Sequence, residues 1–182
     1  MIGISKLYCG AVEPSDVLRY NRESGKLPSE LLQFAADKKP VVVWNCTQRC
    51  NLKCVHCYAQ SEDRNYPGEM STEEGKAMID DLAAYGAPVL LFSGGEPTIR
   101  KDLLELMYYA KDKGMRVVIS TNGTLITEEK AKQFAEVGLS YVGVSLDGSR
   151  ETHDSFRGLA GSFDKAITGI RNSREAGIKV GL

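Results

Sequence analysis

No segment of the chain is apolar for long. The most apolar run, APVLLF at 87–92, falls far short of the roughly 20 residues that a membrane-spanning helix requires. The opening MIGISKLYCGAVEP has no basic patch followed by an extended apolar stretch, so it does not read as a secretory leader. An excess of one charge is also missing: 23 Lys and Arg against 24 Asp and Glu leave a net charge of −1. Such a balance gives neither nucleic acid nor an anionic membrane an electrostatic hold. Cysteine is sparse and unevenly placed, with five in all, four of them between 46 and 57, and none after that. Crowded loop cysteines in a chain without a leader read as metal or redox ligands rather than a disulfide framework. The expected setting is therefore the reducing cytoplasm. What is present, 182 residues at 42% hydrophobic content, is enough for one domain with a real core.

Turn signals and periodicity divide the chain into alternating elements. PSELLQFAADK predicts a helix within a mixed segment, 1–40. VVVWN at 41–45 is a β-branched run of the kind found in strands buried on both faces. STEEGKAMIDDLAAYG predicts a helix opened by Ser71 or Thr72 with Glu74 nearby and closed at Gly86. APVLLFSGG, MRVVIST and LSYVGVSLDG predict further strands, and IKVGL the start of a fifth. RKDLLELMYYAKDKG, TEEKAKQFAEVG and GSFDKAITGIRNSREAG predict the intervening helices. Strand alternating with helix at this rhythm means βαβ units and a parallel sheet.

Right-handed crossovers place the C-terminal end of every strand on one edge. The segments that follow the strands are a cysteine loop, SGGEP, STNG and SLDG. Turn-forming residues alone account for any one of them. Four in succession, together with the thiols, predict a ligand-binding rim, which is where α/β folds bind. Glycines 94 and 95 would let the backbone approach a ligand that a Cβ would push away, and the carboxylate of Glu96 suits an ammonium group.

The thiols lie in WNCTQRCNLKCVHCYA. A structural zinc site draws two ligand pairs from separated segments, and Cys46/Cys50 and Cys54/Cys57 have no long spacer between them. One cysteine-rich loop can instead wrap an iron–sulfur cubane. Cys50, Cys54 and Cys57 follow C-x3-C-x2-C, and three thiolates on four irons leave one iron open. Cys46 ends a strand, where a lone cysteine is usually a small buried hydrophobe. Cys9 reads as structural or as part of the N-terminal segment.

CNLKCVHC resembles the cluster motif of the radical S-adenosylmethionine superfamily, C-x3-C-x-aromatic-C, with His56 at the aromatic position. GGEP is similar to the family segment whose backbone and Glu96 receive the amino group of the cofactor's methionine moiety. SLDG is similar to the segment where Ser145 or Asp147 binds ribose hydroxyls. STNG, with Ser120 and Asn122, occurs in the same branch facing cofactor and substrate, and His56 or Tyr58 is placed to stack on adenine. The resemblance implies a partial (β/α) barrel of parallel strands holding a 4Fe-4S cluster on Cys50, Cys54 and Cys57. The open iron would chelate S-adenosyl-L-methionine, and an electron from a donor such as ferredoxin or flavodoxin would release a 5′-deoxyadenosyl radical. That radical takes hydrogen from the substrate.

The segment before 41, with NLKCVHCYA, is similar to the branch that trims or oxidises tetrapyrrole side chains. Its members make d-type haem or process didecarboxysirohaem in an alternative haem pathway. The enzymes that remove two acetate groups to give iron-coproporphyrin III are nearest in pattern. A polycarboxylate tetrapyrrole asks for basic residues at the rim, for which Arg49, Lys53, Arg157 and Arg100 are candidates; a guanidinium at Arg157 holds a carboxylate bidentately, and His153 lies beside it. The family barrel has six βα units, against about four and a half here, so the expectation is a fragment: an N-terminal segment 1–40 and the first part of the core, 41–182. Two alternatives stay open, a radical peptide maturase with a related SLDG loop, and a non-catalytic metal module in which all four clustered cysteines take part.

Overall fold

The computed structural model describes residues 39–182. The helix expected in PSELLQFAADK, and Cys9, lie outside the described residues. In chain order the elements are β1 (Val42–Thr47), α1 (Thr72–Tyr85), β2 (Val89–Gly94), a 3-10 turn (Pro97–Ile99), α2 (Leu103–Asp112), β3 (Arg116–Thr121), α3 (Glu128–Val137), β4 (Tyr141–Val144), α4 (Arg150–Arg157), α5 (Ser162–Glu175) and β5 (Val180–Gly181). The five strands pair in sequence order, and every pair is parallel. This is the predicted βα alternation, and it puts all the strand ends on one rim.

The helices begin and end where the local chemistry says they should. Ser71 caps α1 in a full capping box with Glu74, and Gly86 closes it in the left-handed region at φ 86°. Thr127 caps α3, and Gly138 ends it in the same way. Their apolar stripes press on one face of the sheet. Leu90 and Phe92 of β2, Val117 and Ile119 of β3, and Val142 and Val144 of β4 meet Ile79, Leu106, Met107, Phe134 and Ala166. Each large side chain fully buried there contributes roughly 1.5–3 kcal/mol. Trp44 extends this core, with its ring 5.6 Å from that of Phe92 and the Arg100 guanidinium 5.2 Å from it. Gly75 of α1 makes room, since a Cβ there would lie 2.8 Å from the Trp44 ring.

The opposite face differs from expectation at β1. The run at 41–45 predicts a strand buried on both sides, yet Val43 is 56% exposed. On that face Val43 is open to solvent, whereas Val118 is buried. In register across it run Val43, Leu91, Val118 and Tyr141. Toward the rim Asn45 pairs with Ser93, and Ser120 with Gly143. An apolar row thus underlies a polar one, in keeping with a sheet curving around an interior lined by alternate residues.

One helix was not foreseen. RETHDSFR in α4 has no apolar period, and its only buried residue is His153. Its sequence signal is Ser149, whose hydroxyl caps the helix by accepting from the Thr152 N–H.

Helix α5 reaches the rim through two glycines. A Cβ at Gly169 would lie 2.2 Å from the carbonyl oxygen of Gly123, in the STNG segment. Gly169→Ala is therefore expected to destabilise the fold by roughly 1–3 kcal/mol, the usual cost of overpacking. Denaturant unfolding measures it, and an unchanged midpoint would mean that the contact has slack.

Candidate metal and cofactor centre

The cysteine loop leaves β1 and is tied down along its length. Cys50 N–H donates to Glu62 O, Val55 N–H to Phe156 O, and Cys57 N–H to Cys54 O. Leu52, 2% exposed, anchors the loop from below. The thiols of Cys50, Cys54 and Cys57 line a single cleft of 250 Å³. Each sulfur has its own donor. Leu52 N–H (3.4 Å) and the Asn122 amide (3.9 Å) point at Cys50, Ser61 N–H (3.5 Å) at Cys57, and Arg157 Nη1 (3.7 Å) at Cys54. Cys46 is not part of this set: it packs in the hydrophobic core, and burial pushes its thiol up to about 12.

Among the described residues no three His, Cys, Asp or Glu side chains converge closely enough for a single metal ion. Three thiolates that share a cleft but not a point fit a multi-iron cluster, which is broader than an ion. A four-thiolate zinc tetrahedron would have to draw Cys46 out of the core.

The SGGEP segment packs against this loop, and its glycines have a further job beside the one expected. Gly94 lies at φ 144°, and a Cβ there would be 2.2 Å from Thr47 O. A Cβ on Gly95 would be 2.5 Å from both Gln48 O and Arg49 O. What a side chain would strike is protein backbone, so the pair docks the second loop onto the first. Gly95 N–H then donates to Thr47 O (2.8 Å) and Glu96 N–H to Arg49 O (2.9 Å). Both glycines still line the cleft.

Glu96 also stands elsewhere than expected. Its side chain is fully buried and does not line the cleft. Oε1 accepts from Thr98 N–H (3.0 Å), Thr98 Oγ1 (2.5 Å) and Thr121 Oγ1 (2.7 Å), and Oε2 from Asn122 N–H (2.8 Å). Burial pushes its carboxyl above the ordinary range, against the pull of these donors. In this geometry the carboxylate is a brace between β2 and β3, and the backbone of Gly94 and Gly95 is what the motif turns to the cleft.

The other predicted residues divide. Ser120, Asn122, Ser145, His56 and Tyr58 all line the cleft. Asn122 is occupied as well, since its amide donates to Asn51 Oδ1 (2.9 Å) and its carbonyl accepts from Thr124 N–H (2.9 Å). The His56 ring lies 5.4 Å from that of Phe156, whereas Tyr58 is 83% exposed. Asp147 does not reach the cleft; its Oδ2 accepts from Arg157 Nε at 2.7 Å. Its N–H donates to Nδ1 of buried His153, which leaves the hydrogen of that neutral ring on Nε2.

Of the basic candidates, Arg100 is spent internally on Cys46 O, Met70 O and Asp102. Arg49 pairs with Asp63, and Lys53 is exposed. Sequence reasoning missed Ser93 and Thr121, which also line the cleft, and the reach of Arg157 to Cys54. A larger cavity, 520 Å³, lies beyond the wall formed by Tyr58, Ala59, Gly94 and Gly95. None of Cys50, Cys54 and Cys57 faces it, so the smaller cleft is the site.

A parallel α/β sheet whose rim gathers three donor-supported thiols on one loop is the arrangement that a thiolate-held metal centre would use. Residues 44–182 match the model of the Radical SAM superfamily, and the chain belongs to that superfamily. It is 72% identical over 182 residues to an Fe-coproporphyrin III synthase of Methanosarcina barkeri, covering all of this chain and 46% of that protein. It is 45% identical over 144 residues to a pre-heme d1 synthase of Dinoroseobacter shibae, covering 79% of this chain and 36% of that one. The chain thus spans less than half the length of these curated relatives. The solved structure of native anSMEcpe with bound AdoMet superposes with a TM-score of 0.65 at 27% identity, over 77% of this chain and 42% of that one.

The environments of the thiols predict an order of reactivity in the metal-free protein. Burial raises Cys57, but donors from Ser61, Ala59 and Gln60 outweigh it and hold the thiol below its ordinary value. Burial drives Cys50 up to about 11 and Cys46 up to about 12. Since the thiolate is the nucleophile, iodoacetamide at about pH 8 should label Cys57 roughly tenfold or more faster than Cys50, with Cys46 last. Peptide mass mapping over time reads the order, and early labelling of Cys46 would contradict its place in the core.

Proposed function

We propose that this chain carries the cluster-and-cofactor part of a radical S-adenosylmethionine enzyme that removes or oxidises side chains of a tetrapyrrole in haem biosynthesis. The observation that carries the chemistry is the cleft itself, where Cys50, Cys54 and Cys57 each meet a separate donor beside the Gly94–Gly95 backbone. Identity of 72% along the whole chain to an Fe-coproporphyrin III synthase supports the tetrapyrrole, and within it the removal of two acetate groups from didecarboxysirohaem.

Cys50, Cys54 and Cys57 would hold a 4Fe-4S cluster. Bound there with S-adenosyl-L-methionine, such a cluster supplies one-electron chemistry that makes a carbon radical able to abstract hydrogen. The chain's own residues bind, orient and exclude water. Leu52, Asn122 and Ser61 keep the thiolates aimed into the cleft. The backbone of Gly94 and Gly95, which lines the cleft, would receive an ammonium group, because the Glu96 carboxylate is already occupied. Ser120 and Ser145 offer hydroxyls for a ribose, and His56 and Tyr58 offer rings for a base. Lys53, exposed on the cysteine loop, and Arg49, in an exposed pair with Asp63, would offer rim charge to a substrate carboxylate. A low-potential ferredoxin or flavodoxin would supply the electron. The four described cysteines are free thiols, which supports a cytoplasmic setting, and none of the described helices is long and apolar enough to cross a membrane.

Two measurements test this reading. Anaerobic reconstitution should load about four irons and four sulfides. Cys50→Ala, Cys54→Ala or Cys57→Ala should each abolish that content, while Cys46→Ala keeps it. The substrate is tested on a full-length protein containing this segment, given reductant, S-adenosylmethionine and didecarboxysirohaem. The expected products are 5′-deoxyadenosine and a tetrapyrrole of lower mass. Deoxyadenosine with an unchanged tetrapyrrole and a modified co-encoded peptide would move the assignment to a maturase.

A further inference from the structure

The three site thiols differ in what supports them. Cys50 and Cys57 are met by neutral donors, a backbone N–H and an amide for the first and a backbone N–H for the second. Cys54 is met by a cation, with Arg157 Nη1 3.7 Å from its sulfur. The Arg157 side chain is only 11% exposed, and the other edge of its guanidinium is gripped by Asp147 at 2.7 Å. The grip is itself supported, because the Asp147 N–H donates to Nδ1 of His153, a side chain 1% exposed.

The end of α4 is also strapped to the cysteine loop on both sides of Cys54. Phe156 O accepts from Val55 N–H at 2.9 Å. On the other side Gly158, at φ 67°, sits so close that a Cβ would be 2.4 Å from Lys53 O. Arg157 stands between these two contacts in sequence, as Cys54 stands between Val55 and Lys53. The arrangement holds one largely covered positive charge against one particular sulfur.

We infer that Arg157, aimed by Asp147, is a positioning residue that tunes the metal centre by donating to the Cys54 thiolate. The inference rests on the reading that Cys50, Cys54 and Cys57 hold a four-iron cluster. Reduction transfers one electron from a low-potential donor protein, or from dithionite in the assay, and adds one negative charge to the cluster. A charge-assisted hydrogen bond to a ligand sulfur favours the more negative state and raises the reduction potential. Asp147 acts through Arg157, by fixing the direction of the guanidinium, as groups behind metal ligands commonly do. The carboxylate itself carries a charge of the opposite sign, so its removal separates aiming from simple electrostatics.

The test is an EPR-monitored redox titration of the anaerobically reconstituted protein, with iron content and circular dichroism measured on each variant. Arg157→Gln should shift the reduction equilibrium about tenfold toward the oxidised state, a fall of about 59 mV for one electron. Arg157→Lys, which keeps the charge but cannot fork between Asp147 and Cys54, should fall by less. Asp147→Asn should also lower the potential, because the guanidinium loses its anchor. Through electrostatics alone that variant would raise it, and a rise would overturn the inference. A fully loaded Arg157→Gln protein with an unchanged potential would overturn it as well, even if its S-adenosylmethionine binding were weakened. If Arg157→Gln does not load, the signs of the Arg157→Lys and Asp147→Asn shifts decide. Wild-type protein that binds no more than one metal would instead defeat the cluster reading, a distinct result.

Discussion

A fully buried carboxylate holds the rim together. Taking Glu96 out of water is costly unless every lone pair that matters finds a donor. Here the donors are Thr98, Thr121 and the Asn122 backbone, so satisfying one side chain fixes the end of β3 relative to the turn after β2. The same residue's N–H holds Arg49 O, which brings in the cysteine loop. Three successive strand ends are locked through one residue, and the cleft is the space left between them. The low dielectric that makes an unpaired carboxylate so unfavourable also strengthens each of these bonds.

On this frame the protein sorts four identical side chains by environment. Cys46 points to the helices and is buried among apolar groups, where its thiol is held neutral. Cys50, also buried, has two donors at its sulfur, while Cys57 is only partly covered and its donors favour the thiolate. The difference between core packing and metal ligation is a matter of which face of β1 and its loop each residue occupies. Alternation along the strand decides it for Cys46, the bond to Glu62 O for Cys50, and the turn at 54–57 for Cys54 and Cys57.

Much of this was legible in the sequence. Strands β2 to β4 and helices α1, α2, α3 and α5 follow from apolar period and caps, and C-x3-C-x2-C marked the loop that holds the site. Three features were not legible, each for a physical reason. The run at 41–45 shows that a strand is apolar, but not that Val43 is open to solvent. GGEP shows a carboxylate beside two glycines, but the direction in which Glu96 turns depends on donors from Thr121 and Asn122, 25 and 26 residues away. Helix α4 carries almost no apolar residue, so periodicity is silent there, and with it the contact of Arg157 with Cys54, 103 residues apart. Local pattern reports the faces of elements; the partners of buried polar groups are set by the fold as a whole.

The close fit of Gly94 and Gly95 on the carbonyls of Thr47, Gln48 and Arg49 bears on how such a loop can vary between related proteins. The stretch from Cys46 to Cys50 has no slack, since an inserted residue would lift Thr47 O and Arg49 O off the amides they accept from. Past Cys57 the chain stays tied as far as Glu62 and Asp63, which hold the Cys50 N–H and the Arg49 side chain. Beyond them Arg64 and Asn65 are exposed, and added length there would extend into solvent. Length variation in this part of the chain should therefore accumulate after the third site cysteine and stop short of the first, a one-sided tolerance set by two missing Cβ atoms.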